Sequence, residues 1–148
     1  MVLVSVLLAS TAAMASDYRD LFKWQYDGGV LGRWITQDTQ CSNHLFPLNG
    51  GIADLAAHRF QDQWAIELRT DDIVDGEEVG IESGACSLYG FTTAGSGRTY
   101  TGKYSCLGED GNRRGSFRLR AVGGSGHATT DLTIKLNETT TRYTQCQG

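Results

Sequence analysis

Cys86-Ser87-Leu88-Tyr89-Gly90 and Gly102-Lys103-Tyr104-Ser105-Cys106 read as the two arms of one hairpin. Both alternate with period two, and Ala94-Gly95-Ser96-Gly97 stands midway between them. A turn centred near Ser96 sets Cys86 opposite Cys106, Leu88 opposite Tyr104 and Gly90 opposite Gly102, all on one face. The same alternation runs through segments near 81–92, 98–107, 114–122, 130–136 and 139–147. Between them lie Glu109-Asp110-Gly111-Asn112, the loop 123–129 and Asn137-Glu138, residues that tolerate the positive φ of short connections. Short alternating strands cut by such turns predict an antiparallel meander.

The register extends beyond the first hairpin. A four-residue loop at 109–112 predicts Tyr104 opposite Phe117 and Gly102 opposite Leu119. Leu132, Ile134 and Leu136 carry the apolar face into the next strand. The N-terminal half is less regular. Residues 30–36 and 63–69 read as strands, the latter with Trp64, Ile66 and Leu68 alternating. Ile52, Leu55, Ala56 and Phe60 are spaced for a short helix, with a ragged strand as the alternative, and 70–78 reads as an acidic turn. Tyr18, Leu21, Phe22, Trp24 and Tyr26 form an aromatic group expected to pack over one end of the sheet. The expected fold is all-β: an antiparallel meander of about seven to eight strands, closed into a small barrel or a strongly curved sheet.

Four cysteines allow three pairings. The hairpin register favours Cys86–Cys106, which leaves Cys41–Cys146 to join the end of the first strand to the last. An odd count of seven strands makes the first and last parallel and puts both sulfurs at one end. An additional strand near 52–58 separates them unless residues 38–42 bend back. Gaps of 45, 20 and 40 residues between successive cysteines include no CxxC, which argues against a redox dithiol or a zinc knuckle.

Residues 1–15 contain no charged side chain and end in Ala13-Met14-Ala15, a small-x-small cleavage pattern. The expected organisation is a signal peptide over 1–15 and a single domain over 16–148, periplasmic or secreted. The apolar run carries no Lys or Arg before it and is too short for a span of about 20 residues, since Asp17 interrupts it. Disulfides fit the same oxidising compartment. A net charge of −4 gives no footprint for nucleic acid or an anionic membrane, and no nucleic-acid partner is expected.

Motifs for catalysis are lacking. His44, His58 and His127 are isolated in sequence and read as surface or turn residues. Gly123-Gly124-Ser125-Gly126-His127 lacks the final glycine and the strand-to-helix setting of a nucleophile elbow, and reads as a flexible loop. Asp71, Asp72, Asp75, Glu77 and Glu78 are dense in acid but do not have calcium-loop spacing. Arg114, Arg118 and Arg120 line the outward face of one strand and read as a charged solvent face that keeps the sheet from sticking, with an anionic partner as the alternative. Asn137-Glu138-Thr139 is a glycosylation acceptor only in a eukaryotic host, and otherwise a turn. No cofactor or metal is expected.

Gly32-Arg33-Trp34 on the first strand and Arg142-Tyr143 on the last resemble the calycin arrangement. In that family a Gly-x-Trp packs beneath an arginine from the final strand, which implies structural roles for Gly32, Trp34, Arg142 and Tyr143. Arg142 and Tyr143 point to opposite faces, and hydrophobicity assigns the inward one to Tyr143. Small calycin-like barrels include lipocalins, avidins and periplasmic inhibitors of bacterial metalloproteases. The wider pattern of GRW, Cys41, Cys86, Cys106-Leu107-Gly108-Glu109 and Tyr143-Thr144-Gln145-Cys146 looks like a group of small exported proteobacterial two-disulfide proteins with no assigned activity. The expected function is a non-enzymatic binding protein, such as a protease or lysozyme inhibitor, using loops or the segment carrying Tyr18, Phe22, Trp24 and Tyr26. The alternative is a lipocalin-like carrier of a small apolar ligand, and a hydrolase with an unrecognised site is the third reading. The partner is an unknown protein or that apolar ligand.

Overall fold

The computed structural model describes residues 18–43, 46–79, 85–95, 98–108, 111–123 and 127–146. The expected leader at 1–15, His44, the start of the 81–92 segment and the loop tips at 96–97, 109–110 and 124–126 lie outside the described residues. The strands are β1 (Gly32–Thr36), β2 (Gln40–Cys41), β3 (Pro47–Phe60), β4 (Gln63–Val74), β5 (Glu77–Glu78), β6 (Ala85–Thr93), β7 (Thr99–Leu107), β8 (Arg113–Gly123), β9 (Thr129–Leu136) and β10 (Thr139–Thr144). Eight of them close a barrel in the order β1-β10-β9-β8-β7-β6-β4-β3, with β3 returning to β1 and every pair antiparallel. The short β2 and β5 add to β3 and β4. Closure leaves no long edge along the barrel wall.

Barrels of about eight strands have an interior that side chains just fill, and this one is filled. Trp34, Ile66, Leu88, Tyr100, Leu119, Leu132 and Ile134 are fully or almost fully buried in one connected cluster that includes Cys86 and Cys106. The Cys86–Cys106 bond forms as the hairpin register predicts, with Cys86 opposite Cys106 and Leu88 opposite Tyr104. Two other register expectations fail. A bulge between Tyr89 and Thr92 breaks the Gly90–Gly102 pairing. Gly90 adopts φ +67°, which shifts the alternation so that Phe91, not Gly90, faces inward. Across the next loop, Gly102 pairs with Phe117 and Tyr104 with Gly115, two residues from the predicted register. The connection is longer than four residues, because Cys106 pairs with Arg113. A shift of two preserves the facing of every side chain. At Gly102, a Cβ would lie 2.4 Å from the Phe117 ring, so only glycine admits that ring.

The N-terminal half departs further. Residues 52–60 form part of the 14-residue β3, not a helix. Ala53 and Leu55 face the interior, while Ile52 points outward into a second cluster with Ile35 and Ile73. Burial on both faces erases the period-two signal and leaves a helix-like spacing. The acidic 70–78 segment is mostly strand too: β4 runs to Val74, and the turn shrinks to Asp75-Gly76. With β3 counted, β1 and β10 are antiparallel, not parallel. The Cys41–Cys146 bond still forms, with Cα atoms 5.7 Å apart. Residues 37–39 turn after Thr36, the Thr39 N–H donating to the Thr36 carbonyl, and the register shifts between Gln40 and Cys41. Cys41 and Cys146 thereby meet against Ile35, Ile52 and Ile73 outside the barrel wall.

The N-terminal segment closes one end of the barrel. Leu21 and Val30 are fully buried there, and Trp34 donates its Nε1–H to the Val30 carbonyl at 2.9 Å. Tyr143 faces inward and is buried. Arg142 alternates outward and is exposed, so the arginine-over-tryptophan contact that the resemblance implies is not made. The two-residue turn at Asn137-Glu138 fixes that parity, pairing Thr139 with Leu136. A different arginine ties this end together. Arg98 donates to the Gly28 carbonyl, to the Gly123 carbonyl at 2.9 Å and to the Thr129 hydroxyl at 3.1 Å. At the other end the Asn137 amide is engaged: its Oδ1 accepts from the Ser116 N–H, and its Nδ2 donates to the Tyr104 hydroxyl at 2.8 Å.

Candidate functional site

The β3–β4 hairpin is longer than its neighbours. Its pairing runs from Gly50–Ile73 to Phe60–Gln63. β1 follows β3 only to Leu55, and β6 follows β4 only to Ile66. The hairpin tip therefore projects past the barrel rim. Gln61 and Asp62 both take positive φ, 51° and 60°, as a twisted two-residue turn requires.

The two faces of this projection differ. On the outer face, the Phe60 ring lies 4.9 Å from that of Tyr89, and His58 Nε2 lies 3.1 Å from Ser87 Oγ. These contacts brace the hairpin against β6. On the inner face, Ala57, Arg59 and Trp64 share the inward side with Leu55 and Ile66, but they lie beyond the packed core. Trp64 is 57% exposed, with the Arg59 guanidinium 5.1 Å from its ring centroid.

Opposite the hairpin lies the short 3-10 helix over Tyr18–Phe22. Leu21 plugs the barrel, and its neighbours reach the rim. Phe91, turned inward by the bulge at Gly90, forms the floor. It stacks on Tyr18 at 6.1 Å and meets Phe22 edge-on at 5.6 Å and Phe117 at 5.3 Å. The result is a cleft of about 520 Å³ between the helix and the hairpin, lined mainly by Tyr18, Phe22, Ala57, Trp64 and Phe91, with Arg19 and Gln63 as its polar margin.

Of the four aromatic residues singled out in the sequence, the structure brings Tyr18 and Phe22 together in this cleft. Trp24 is exposed outside it. Tyr26 borders a second cavity of about 310 Å³ with Gln25, Arg33, Pro47 and Gln145. Arg33 there is engaged by Asp54 at 2.9 Å and Glu78 at 2.8 Å, and the Asp54 hydrogen bond is the main reason its pKa is raised. Sequence reasoning missed Trp64 and Phe91 as site residues. The signal for Trp64 was its place at the outermost step of an inward-facing series, next to a turn. Phe91 gave none, since the bulge that turns it inward contradicts simple alternation.

Ser87, His58 and Glu67 have the connectivity of a nucleophile, base and carboxylate, with His58 Nδ1 3.7 Å from Glu67. Ser87 is buried on a strand paired on both sides, to Glu67 and Ser105. Its backbone neighbours on both sides are paired in the ladder, unlike the free N–H groups that line an oxyanion hole. Glu67 is also held by Arg69 at 3.1 Å. The group reads as a brace. Among the described residues, no cluster of three or more His, Cys, Asp or Glu side chains could hold a metal, and no helix is long and apolar enough to cross a membrane.

No family model, no curated protein and no solved structure matches the chain. The fold and the cleft thus define a closed, filled, two-disulfide β-barrel with an aromatic cleft at one rim.

Proposed function

We propose that the protein is a non-enzymatic binding protein of the periplasm or cell exterior, and that the rim cleft takes an apolar side chain of a partner protein. One observation carries the reading: buried side chains pack the barrel interior, while among the described residues a cleft walled by Tyr18, Phe22, Trp64 and Phe91 opens at the rim. Tyr, Trp and Arg around an apolar floor are the residue types that anchor protein interfaces. The cleft walls are fixed by the core beneath Phe91 and by the brace behind the hairpin, so little conformational freedom is lost on binding. A stapled frame also suits an oxidising compartment containing proteases. An inhibitor of a secreted protease or lysozyme fits this design.

The test is inhibition of purified secreted proteases and lysozymes by the mature chain. Inhibition at micromolar concentration, weakened at least about tenfold by Trp64→Ala and by Tyr18→Ala, supports the proposal, since one interface anchor contributes about 1.4 kcal/mol or more. Absence of inhibition, or inhibition indifferent to both substitutions, overturns it. The cleft volume falls within the range of about 300–1,000 Å³ seen for small-molecule sites, which favours an apolar-ligand carrier as the second reading. Organic extraction of purified protein would then release an apolar molecule that the Trp64→Asp variant lacks.

A further inference from the structure

The outer wall formed by β7, β8, β9 and β10 is distinct from the cleft in chemistry. Its outward positions carry Lys103, Arg114, Arg118, Arg120, Lys135 and Arg142. These are six of the chain's 13 lysines and arginines, in a protein whose net charge is −4. Asp131 is the one outward-facing acid on these four strands. The ladder aligns them in rows. Arg120 is opposite Thr133, which is opposite Arg142, and Arg118 is flanked by Thr101 and Lys135. Neighbouring strands are about 4.8 Å apart and alternate residues on one strand about 6.8 Å.

Three of the chain's other cations meet carboxylates among the described residues, while Arg59 and Arg98 donate to backbone carbonyls. Arg33 pairs with Asp54 and Glu78, Arg69 with Glu67, and Lys23 with Asp20. None of the six on this wall has a carboxylate within 4.0 Å among the described residues. Arg118 and Lys135 are directly opposite each other, an arrangement that destabilises a sheet. Protection against edge-to-edge sticking does not account for them, because β8 and β9 are interior strands of a closed barrel.

We propose that this wall docks an acidic polysaccharide. Guanidinium groups match carboxylate and sulfate in a two-point geometry, and repeated anions suit a grid of cations. Thr101, Ser105, Ser116, Thr133 and Thr140 place hydroxyls between the charges. The wall has no exposed aromatic ring on which a nucleobase could stack. Its exposed large apolar residues, Leu107 and Val122, stand at strand ends and not between the cations, so it offers little to insert into a bilayer.

The experiment titrates the mature chain with polygalacturonate, dextran sulfate and neutral dextran, and in parallel with anionic phosphatidylglycerol vesicles and a single-stranded oligonucleotide. Binding to at least one acidic polymer but not to neutral dextran is expected. It should weaken at least about tenfold between 50 and 300 mM salt, as screening requires. Arg118→Glu with Arg120→Glu should abolish it, and Arg118→Gln with Arg120→Gln should weaken it about tenfold or more while thermal unfolding is unchanged. Trp64→Ala should leave it intact, which separates this wall from the rim cleft. No binding to either acidic polymer, binding indifferent to both double substitutions, or tighter binding to vesicles or oligonucleotide overturns the proposal.

Discussion

The two disulfides occupy opposite mechanical settings. Cys86–Cys106 crosses adjacent strands inside the barrel, closes 20 residues and is part of the main core. Cys41–Cys146 joins segments 105 residues apart, outside the wall, over a small cluster of Ile35, Ile52 and Ile73. The inner bond ties strands that their register already aligns. The outer one holds the two-residue β2 and the chain just past β10, so its loss releases more of the unfolded chain and leaves a short pairing and a thin cluster to hold those segments.

The largest expected effect breaks that comparison directly. On loop-closure entropy, replacing Cys41 and Cys146 by alanine should lower stability by up to about 4.7 kcal/mol, and replacing Cys86 and Cys106 by about 3 kcal/mol. Denaturant midpoints of the two double variants give the order. A reversed order would mean that packing inside the barrel outweighs the entropy of the longer loop.

A smaller effect probes the interior alone. Burial raises the pKa of the Tyr143 phenol, and a hydrogen bond with Thr141 opposes this. An unfolded tyrosine ionises near pH 10 while the buried one stays protonated. Stability from this group is therefore fully present below about pH 10 and is lost as pH rises through the folded value. Urea titrations between pH 8 and 11 should show stability falling at the top of the range, with a shallower fall in Tyr143→Phe.

The smallest effect belongs to the rim. Trp64→Ala removes an exposed ring and its contact with Arg59, so stability should change by less than about 1 kcal/mol. Thermal unfolding of that variant checks it. A larger loss would mean that the rim belongs to the core and is not a surface kept open for a partner.

Legibility in the sequence tracked one-sided burial. In β8, Phe117, Leu119 and Ala121 are buried and the arginines between them are exposed, so alternation gave the strand and its facing. The pairing of Cys86 with Cys106 followed from the same parity. In β3, Ile52 and Ala53 are both buried because the wall is covered on both sides, and alternation disappears. The cleft was half legible. Tyr18 and Phe22 stood out as aromatic, but Phe91 depends on a bulge and Trp64 on how far one hairpin outruns its neighbours.

The sequence alone determined the all-β class, the inner staple and the facing of the C-terminal strands, because each follows from a local period and a turn. Only the tertiary structure decided the eight-strand closure, the antiparallel meeting of β1 and β10, the outer cluster beneath Cys41–Cys146 and the rim cleft. Those features depend on which strands become neighbours and where each one stops, and contacts between residues distant in the chain set both.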